Sequence, residues 1–145
     1  MNKSTRNLIT VVSLVPMLAA AFSTGAAAPN PFIGVWESTD TDGSHQILTI
    51  GGGPMGSHHF RYYDYGASVC GLGPGGEFLF AASARGVLTE DTQDGYAILH
   101  GVTQVYCQTA PPSPAPVPSP SQFAYTYDPI FDTLTDIWGV EWTRL

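Results

Sequence analysis

The chain has 145 residues, 43% of them hydrophobic and only 12% charged, with a formal net charge of −7 and two cysteines. That excess of acid repels phosphate backbones and anionic lipid heads, which argues against nucleic-acid and membrane-surface roles. The cysteines carry no Cys-x-x-Cys spacing, so they do not read as a paired metal site.

In chain order, Met1 to Arg6 supplies a positive start, Leu8 to Phe22 is apolar, and small residues follow from Ser23 to Ala28. This three-part order predicts a cleavable signal peptide over residues 1–28, with an apolar core too short for a membrane span. The Ala26-x-Ala28 pattern would cut before Pro29, and a cut a few residues earlier fits as well. No cysteine lies near the cut, which argues against a bacterial lipid anchor. The mature chain would keep Arg61, Arg85 and Arg144, no lysine, and all twelve acidic residues, a net charge of −9. Residues 29–145 are one domain's worth of chain and long enough for a single core. The expected location is secreted or periplasmic.

Past the leader, alternation of apolar and polar residues predicts strands. Phe32 to Ser38 is the first. A turn follows at Asp40-Thr41-Asp42-Gly43, where Asp-Gly is a hairpin signal because glycine accepts the positive φ such turns demand. Gln46 to Ile50 is the return strand, Gly51 to Gly56 breaks order, and His58 to Tyr65 is an aromatic third strand. Gly66 to Gly76 reads as a loop carrying Cys70. Phe78 to Leu88 and Tyr96 to Tyr106 read as a central hairpin around Asp94-Gly95. In an exported chain Cys70 and Cys107 predict a disulfide, the one connectivity available.

Residues 110–121 place proline at nearly every second position, which rules out a central strand and predicts polyproline II or an irregular arm. Such an arm could be a docking element or a stiff surface connector. Phe123 to Tyr127, a turn at Asp128-Pro129, a short run around Leu134 and a last strand from Trp138 to Arg144 complete the chain. No helical periodicity appears after the leader. Seven or eight strands in succession predict a small antiparallel up-and-down β-barrel, with a β-sandwich as the alternative.

Few residues carry recognisable chemistry. There is no Gly-x-Ser-x-Gly elbow, no His-Glu-x-x-His and no phosphate loop leading into a helix, so the chain reads as non-enzymatic. Whether two carboxylates stand at glycosidase spacing depends on the fold. His58 and His59 are adjacent and point to opposite faces of a strand, so both cannot serve one metal. The acidic clusters Asp40/Asp42, Glu90/Asp91/Asp94 and Asp128/Asp132/Asp136 lack the full ladder of a calcium loop and read mainly as turn residues. No metal or cofactor is expected.

The chain is rich in rings that suit pocket walls: Phe60, Tyr62, Tyr63, Tyr65, Phe78, Phe80, Tyr96, Tyr106, Phe123, Tyr125 and Tyr127. Tyr62, Phe80, Tyr96 and Tyr125 are the candidate ligand-binding residues. On the last strand, Trp138, Val140, Trp142 and Arg144 share one parity, and on the first strand Phe32, Gly34 and Trp36 do. If the ends pair, Trp36 lies against the Arg144 guanidinium.

This Gly34-x-Trp36 on the first strand, answered by Arg144 on the last, resembles the lipocalin, or calycin, pattern in which such a pair seals the closed end of a barrel. The resemblance implies that Gly34, Trp36, Trp142 and Arg144 are structural and that the opposite, open end faces a small apolar ligand. The closing Trp-Thr-Arg-Leu is also similar to the end of avidin-type barrels, but too few tryptophans are present for that family's biotin site. Two functions follow as expectations. One is an exported module binding a small apolar or amphipathic ligand. The other is a protein-interaction module, an inhibitor or surface factor, with a solid barrel and functional loops.

Overall fold

A computed structural model describes residues 30–145; the leader expected over residues 1–28 lies outside them. The described chain is all-β apart from one short 3-10 turn at Ser68–Cys70. The strands are β1 (Gly34–Thr39), β2 (His45–Gly52), β3 (Ser57–Asp64), β4 (Ala82–Gln93), β5 (Tyr96–Thr103), β6 (Val105–Cys107), β7 (Ser113–Pro114), β8 (Ser121–Asp128), β9 (Thr133–Asp136) and β10 (Glu141–Arg144).

Each stave pairs antiparallel with the next. The pairing β3–β4 and the terminal pairing β1–β10, with Trp36 opposite Arg144, close the sheet on itself. The result is a closed eight-strand up-and-down barrel with two extra strands, not a sandwich. One of the extra strands is a continuation: β5 and β6 lie on the same edge of β4, β5 through Thr89–His100 and β6 through Ala82–Cys107. Only Gln104 separates the two. The other, β7, pairs with β6 through Tyr106–Pro114 and Cys107–Ser113, beyond the end of β8.

Inward positions follow the period of two that the sequence shows. Trp36, Leu48, Ile50, Phe60, Leu88, Leu99, Phe123, Tyr125, Leu134 and Trp142 are buried together in one core. The Asp94-Gly95 hairpin has positive φ at both positions, 52° and 84°, the geometry that makes this dipeptide a strand reverser.

Residues Gly34, Val35 and Trp36 and the chain's last arginine form a latch at one end. The Arg144 guanidinium carbon sits 4.0 Å from the centre of the Trp36 ring. Arg144 donates from Nη1 to the Ile33 carbonyl at 2.8 Å, from Nη2 to the Pro31 carbonyl at 2.6 Å, and from Nε to Asp132 at 2.8 Å. Trp36 Nε1 donates to the Phe32 carbonyl at 3.0 Å. Gly34 is required by this approach, since a Cβ there would lie 2.6 Å from Arg144 Nη1. Beside the latch, Glu90 accepts from Asn30 Nδ2 at 2.7 Å and faces His58 Nε2 at 3.1 Å. The buried Phe32 ring packs against Tyr127, with centroids 5.9 Å apart. This end is plugged.

The opposite end is framed by excursions. The disulfide Cys70–Cys107 ties the 3-10 turn to β6, closing a span of 37 residues and holding the 65–81 loop against the rim. The proline-rich tract is a mostly exposed connector between β6 and β8 that is pinned to the rim. Ala115 N donates to the Val105 carbonyl at 2.9 Å, Ala115 is buried, and Val117 packs on the core, so the tract folds over the rim. Proline is tolerated because β7 is an edge segment of two residues.

Two predicted strands begin later than the alternation suggested. The chain enters β4 at Ala82, not Phe78, because the disulfide-held loop keeps residues up to Ala81 outside the barrel. The last strand begins at Glu141, not Trp138. Asp136 and Val140 close a tight turn there, with Asp136 N donating to the Val140 carbonyl at 3.0 Å and Gly139 at φ 81°. Trp138 therefore leaves the parity of Trp142 and stands 64% exposed at the rim.

Candidate functional site

At the open end the core stops short of the rim and leaves a cavity of about 800 Å³. Its floor is aromatic. Tyr62 meets Phe123 at 5.7 Å and Trp142 at 6.2 Å between ring centroids, and Tyr125 stands edge-on to Trp142 at 6.0 Å. Edge-to-face contacts of this kind fix ring orientation as well as adding apolar area. Ala67, Val69, Ala82 and Val105 form apolar wall, and Val117, Pro118 and Pro120 of the proline tract complete one side.

The polar groups at the site are three carboxyls, Asp40, Asp64 and Asp136, set among hydroxyl, amide and indole side chains. Asp64 is 3% exposed, at the last position of β3. It accepts from Gly66 N at 3.1 Å, and its second oxygen lies 3.4 Å from the Tyr62 hydroxyl. Gln46 Nε2 donates to that hydroxyl at 2.9 Å. Asp136, at the end of β9, accepts from the amides of Trp138 and Val140, each at 2.9 Å, and from Trp142 Nε1 at 3.3 Å. Asp40 reaches the mouth from the β1–β2 turn. No lysine, arginine or histidine lines this cavity among the described residues.

Burial, reinforced by the charge of Asp64, pushes the Tyr62 hydroxyl far above the ordinary phenol range. Burial, and then Asp136 opposite it on β9, does the same for Tyr125. Both phenols are neutral donors at any physiological pH. Tyr62 spends its hydroxyl on Gln46 and Asp64. The Tyr125 hydroxyl makes no hydrogen bond with a described residue, although its side chain is 2% exposed and lines the cavity.

The four residues singled out from sequence separate. Tyr62 and Tyr125 line the cavity together. Phe80 and Tyr96 do not. Phe80 lies in the stretch that precedes β4, outside the barrel, and Tyr96 shares the outward parity of β5, because Leu99 is the residue that faces in. Tyr63, Tyr65 and Tyr106 likewise stand on the outer surface. Trp142, expected to serve structure, is both core and cavity wall. Sequence reasoning missed Gln46, Asp64 and Asp136: an inward-facing polar residue at a strand end looks, in sequence, like the start of a turn. Asp64 is even, like Tyr62 and Phe60, and that shared parity was the available signal.

Among the described residues no three His, Cys, Asp or Glu side chains stand together as metal ligands, and no helix is long and apolar enough to cross a membrane. Fold and site together define a small disulfide-stapled up-and-down barrel, latched at one end and carrying an open cavity at the rim of the other. No family model matches the chain, and no curated protein and no solved structure matches it.

Proposed function

We propose that this is an exported, non-enzymatic binding protein that holds a small amphipathic molecule in the open end of its barrel. The observation that carries the reading is the cavity of about 800 Å³. That volume lies within the range of small-molecule sites, and its aromatic floor with a few convergent polar groups has their composition. The asymmetry between a latched end and a hollow end supports a calycin-like kinship, in which Gly34, Trp36 and Arg144 hold the scaffold while the far rim binds. Export through the leader over residues 1–28 agrees with the disulfide, a bond that persists in oxidising compartments.

The test is titration of the full mature protein with a neutral apolar fluorophore, N-phenylnaphthylamine, against the Ala82→Phe variant. Ala82 lines the cavity and is 2% exposed, so the added ring competes for that volume at a packing cost of about 1–3 kcal/mol, and near-UV circular dichroism checks that the variant is folded. The wild type should bind one equivalent and the variant should lose at least tenfold in affinity. Equal binding by a folded variant, or none by the wild type, overturns the proposal.

A second reading, an interaction module acting through loops, draws on the β8–β9 turn. Ile130 and Phe131 stand there almost fully in solvent at the latched end. Replacing that apolar tip (Ile130→Ser with Phe131→Ser) should leave dye binding untouched if the cavity is the site.

A further inference from the structure

We infer that the molecule held in the open end is an organic cation: a protonated amine, or a quaternary ammonium, attached to an apolar body. The inference rests on the cavity reading above and names its ligand class.

Three carboxyl-bearing side chains, Asp40, Asp64 and Asp136, line the cavity, and no cationic side chain lines it among the described residues. Acidic residues alone would say little, since this chain is acidic throughout. Their placement says more. Asp64 is nearly as buried as Phe60 and Tyr125, yet neither ion pair found among the described residues, His58–Glu90 and Arg144–Asp132, involves it or Asp136. A buried carboxyl is ordinarily matched by a cation or by a full set of donors. Asp64 has one firm donor, the Gly66 amide, and a long contact to Tyr62, which leaves acceptor capacity facing the cavity. The ammonium of a ligand is the missing partner.

The floor is suited to the same charge. Tyr62, Tyr125 and Trp142 gather within 6.2 Å of a neighbouring ring, and the faces of such rings attract a cation that has left water. An ammonium also brings donors, which match the acceptor capacity left on Asp64. Tyr125 lines the cavity with its side chain 2% exposed, and its hydroxyl, which reaches the cavity, adds a point that accepts an ammonium hydrogen through its lone pairs or donates to a polar group on the ligand. An anionic ligand would meet three carboxyl groups and no cation. A neutral one would leave Asp64 as it stands.

The experiment is calorimetric titration of the mature protein with three probes of one shape and different charge: naphthylethylamine, naphthylethanol and naphthylacetate. The amine should bind roughly tenfold or more tighter than the alcohol, with the acetate weakest. Ala82→Phe should abolish the amine signal, which places it in the cavity. Asp64→Asn, which keeps the shape of the side chain and an acceptor for Gly66, should lower the amine-to-alcohol ratio about tenfold. Equal affinity for amine and alcohol, or a preference for the acetate, overturns the cation inference while leaving the cavity reading standing. Binding of none of the three overturns both. The matched probes are compared on the wild-type protein, so the test holds whether or not either variant folds.

Discussion

Replacing Arg144 by lysine keeps the charge and removes the planar fork, which isolates the part of the latch that only a guanidinium can supply. Arg144 spans two carbonyls and a carboxylate while lying 4.0 Å from the Trp36 ring centre. Each bond from a charged donor to a carbonyl contributes on the order of 1.5 kcal/mol, and the stacked cation about 0.5–1 kcal/mol. The pairing with half-exposed Asp132 adds about 0.5 kcal/mol at most, because solvent screens it. A lysine can retain one of these bonds, so Arg144→Lys should cost roughly 2–3 kcal/mol. For a domain of this size that corresponds to a fall in Tm of about 10 °C. Urea and thermal unfolding, followed by near-UV circular dichroism, measure it directly. Gly34→Ala supplies a second arm, since its Cβ would press on Nη1 at 2.6 Å. Its cost should shrink when Arg144 is already lysine. A stability change below about 0.5 kcal/mol for Arg144→Lys, or strictly additive costs in the double variant, would refute the latch as described.

Two further outcomes follow from the same geometry. The Cys70–Cys107 bridge closes a span of 37 residues, so by the chain-entropy relation its reduction should lower stability by about 4 kcal/mol, read as a shift in urea midpoint with and without reductant. An unshifted midpoint would mean that the 65–81 loop is held by packing alone. Hydrogen bonding from Arg144 holds the Asp132 carboxyl below the ordinary aspartate range, so on acidification the folded state takes up that proton later than the unfolded chain. The pair's contribution is therefore present above the unfolded value, about 3.9, and is lost as pH falls through the lower folded value. The Tm gap between wild type and Asp132→Asn should accordingly be small at neutral pH and vanish in strong acid; a gap that widens on acidification contradicts that sign.

The barrel itself was legible because its staves are half-buried and alternate cleanly, and because Asp40 to Gly43 and Asp94-Gly95 mark hairpins by backbone chemistry alone. The two ends of the chain could be matched because stacking a guanidinium on Trp36 leaves a visible trace, a glycine two residues before the ring. What alternation could not show is where a strand stops. Phe80 and Trp138 both continue an apolar parity beyond the last ladder bond, and both lie outside the barrel wall because a loop restraint intervenes: the disulfide for one, the Asp136 turn for the other. The site was half visible for the same reason. Tyr62 and Tyr125 are inward residues of long strands, whereas Asp64 and Asp136 sit at strand ends, where a polar residue is expected whether or not it faces a cavity.

The closure of the barrel through Trp36 and Arg144 also fixes an order of events in folding. Every other seam joins strands that are close in sequence or separated by one excursion, and β2–β3 and β4–β5 need only short turns. The β1–β10 seam alone needs nearly the whole described chain, so its loop-closure entropy falls due after the others have formed. Until then β1 and β10 are bare edges, open to pairing with another molecule. Where the seam closes after the rate-limiting transition state, Arg144→Lys accelerates unfolding and leaves the folding rate nearly unchanged in stopped-flow kinetics, whereas a slowed folding rate places the seam in that transition state. The latch then bears on how long the native protein persists, apart from whatever the other end of the barrel holds.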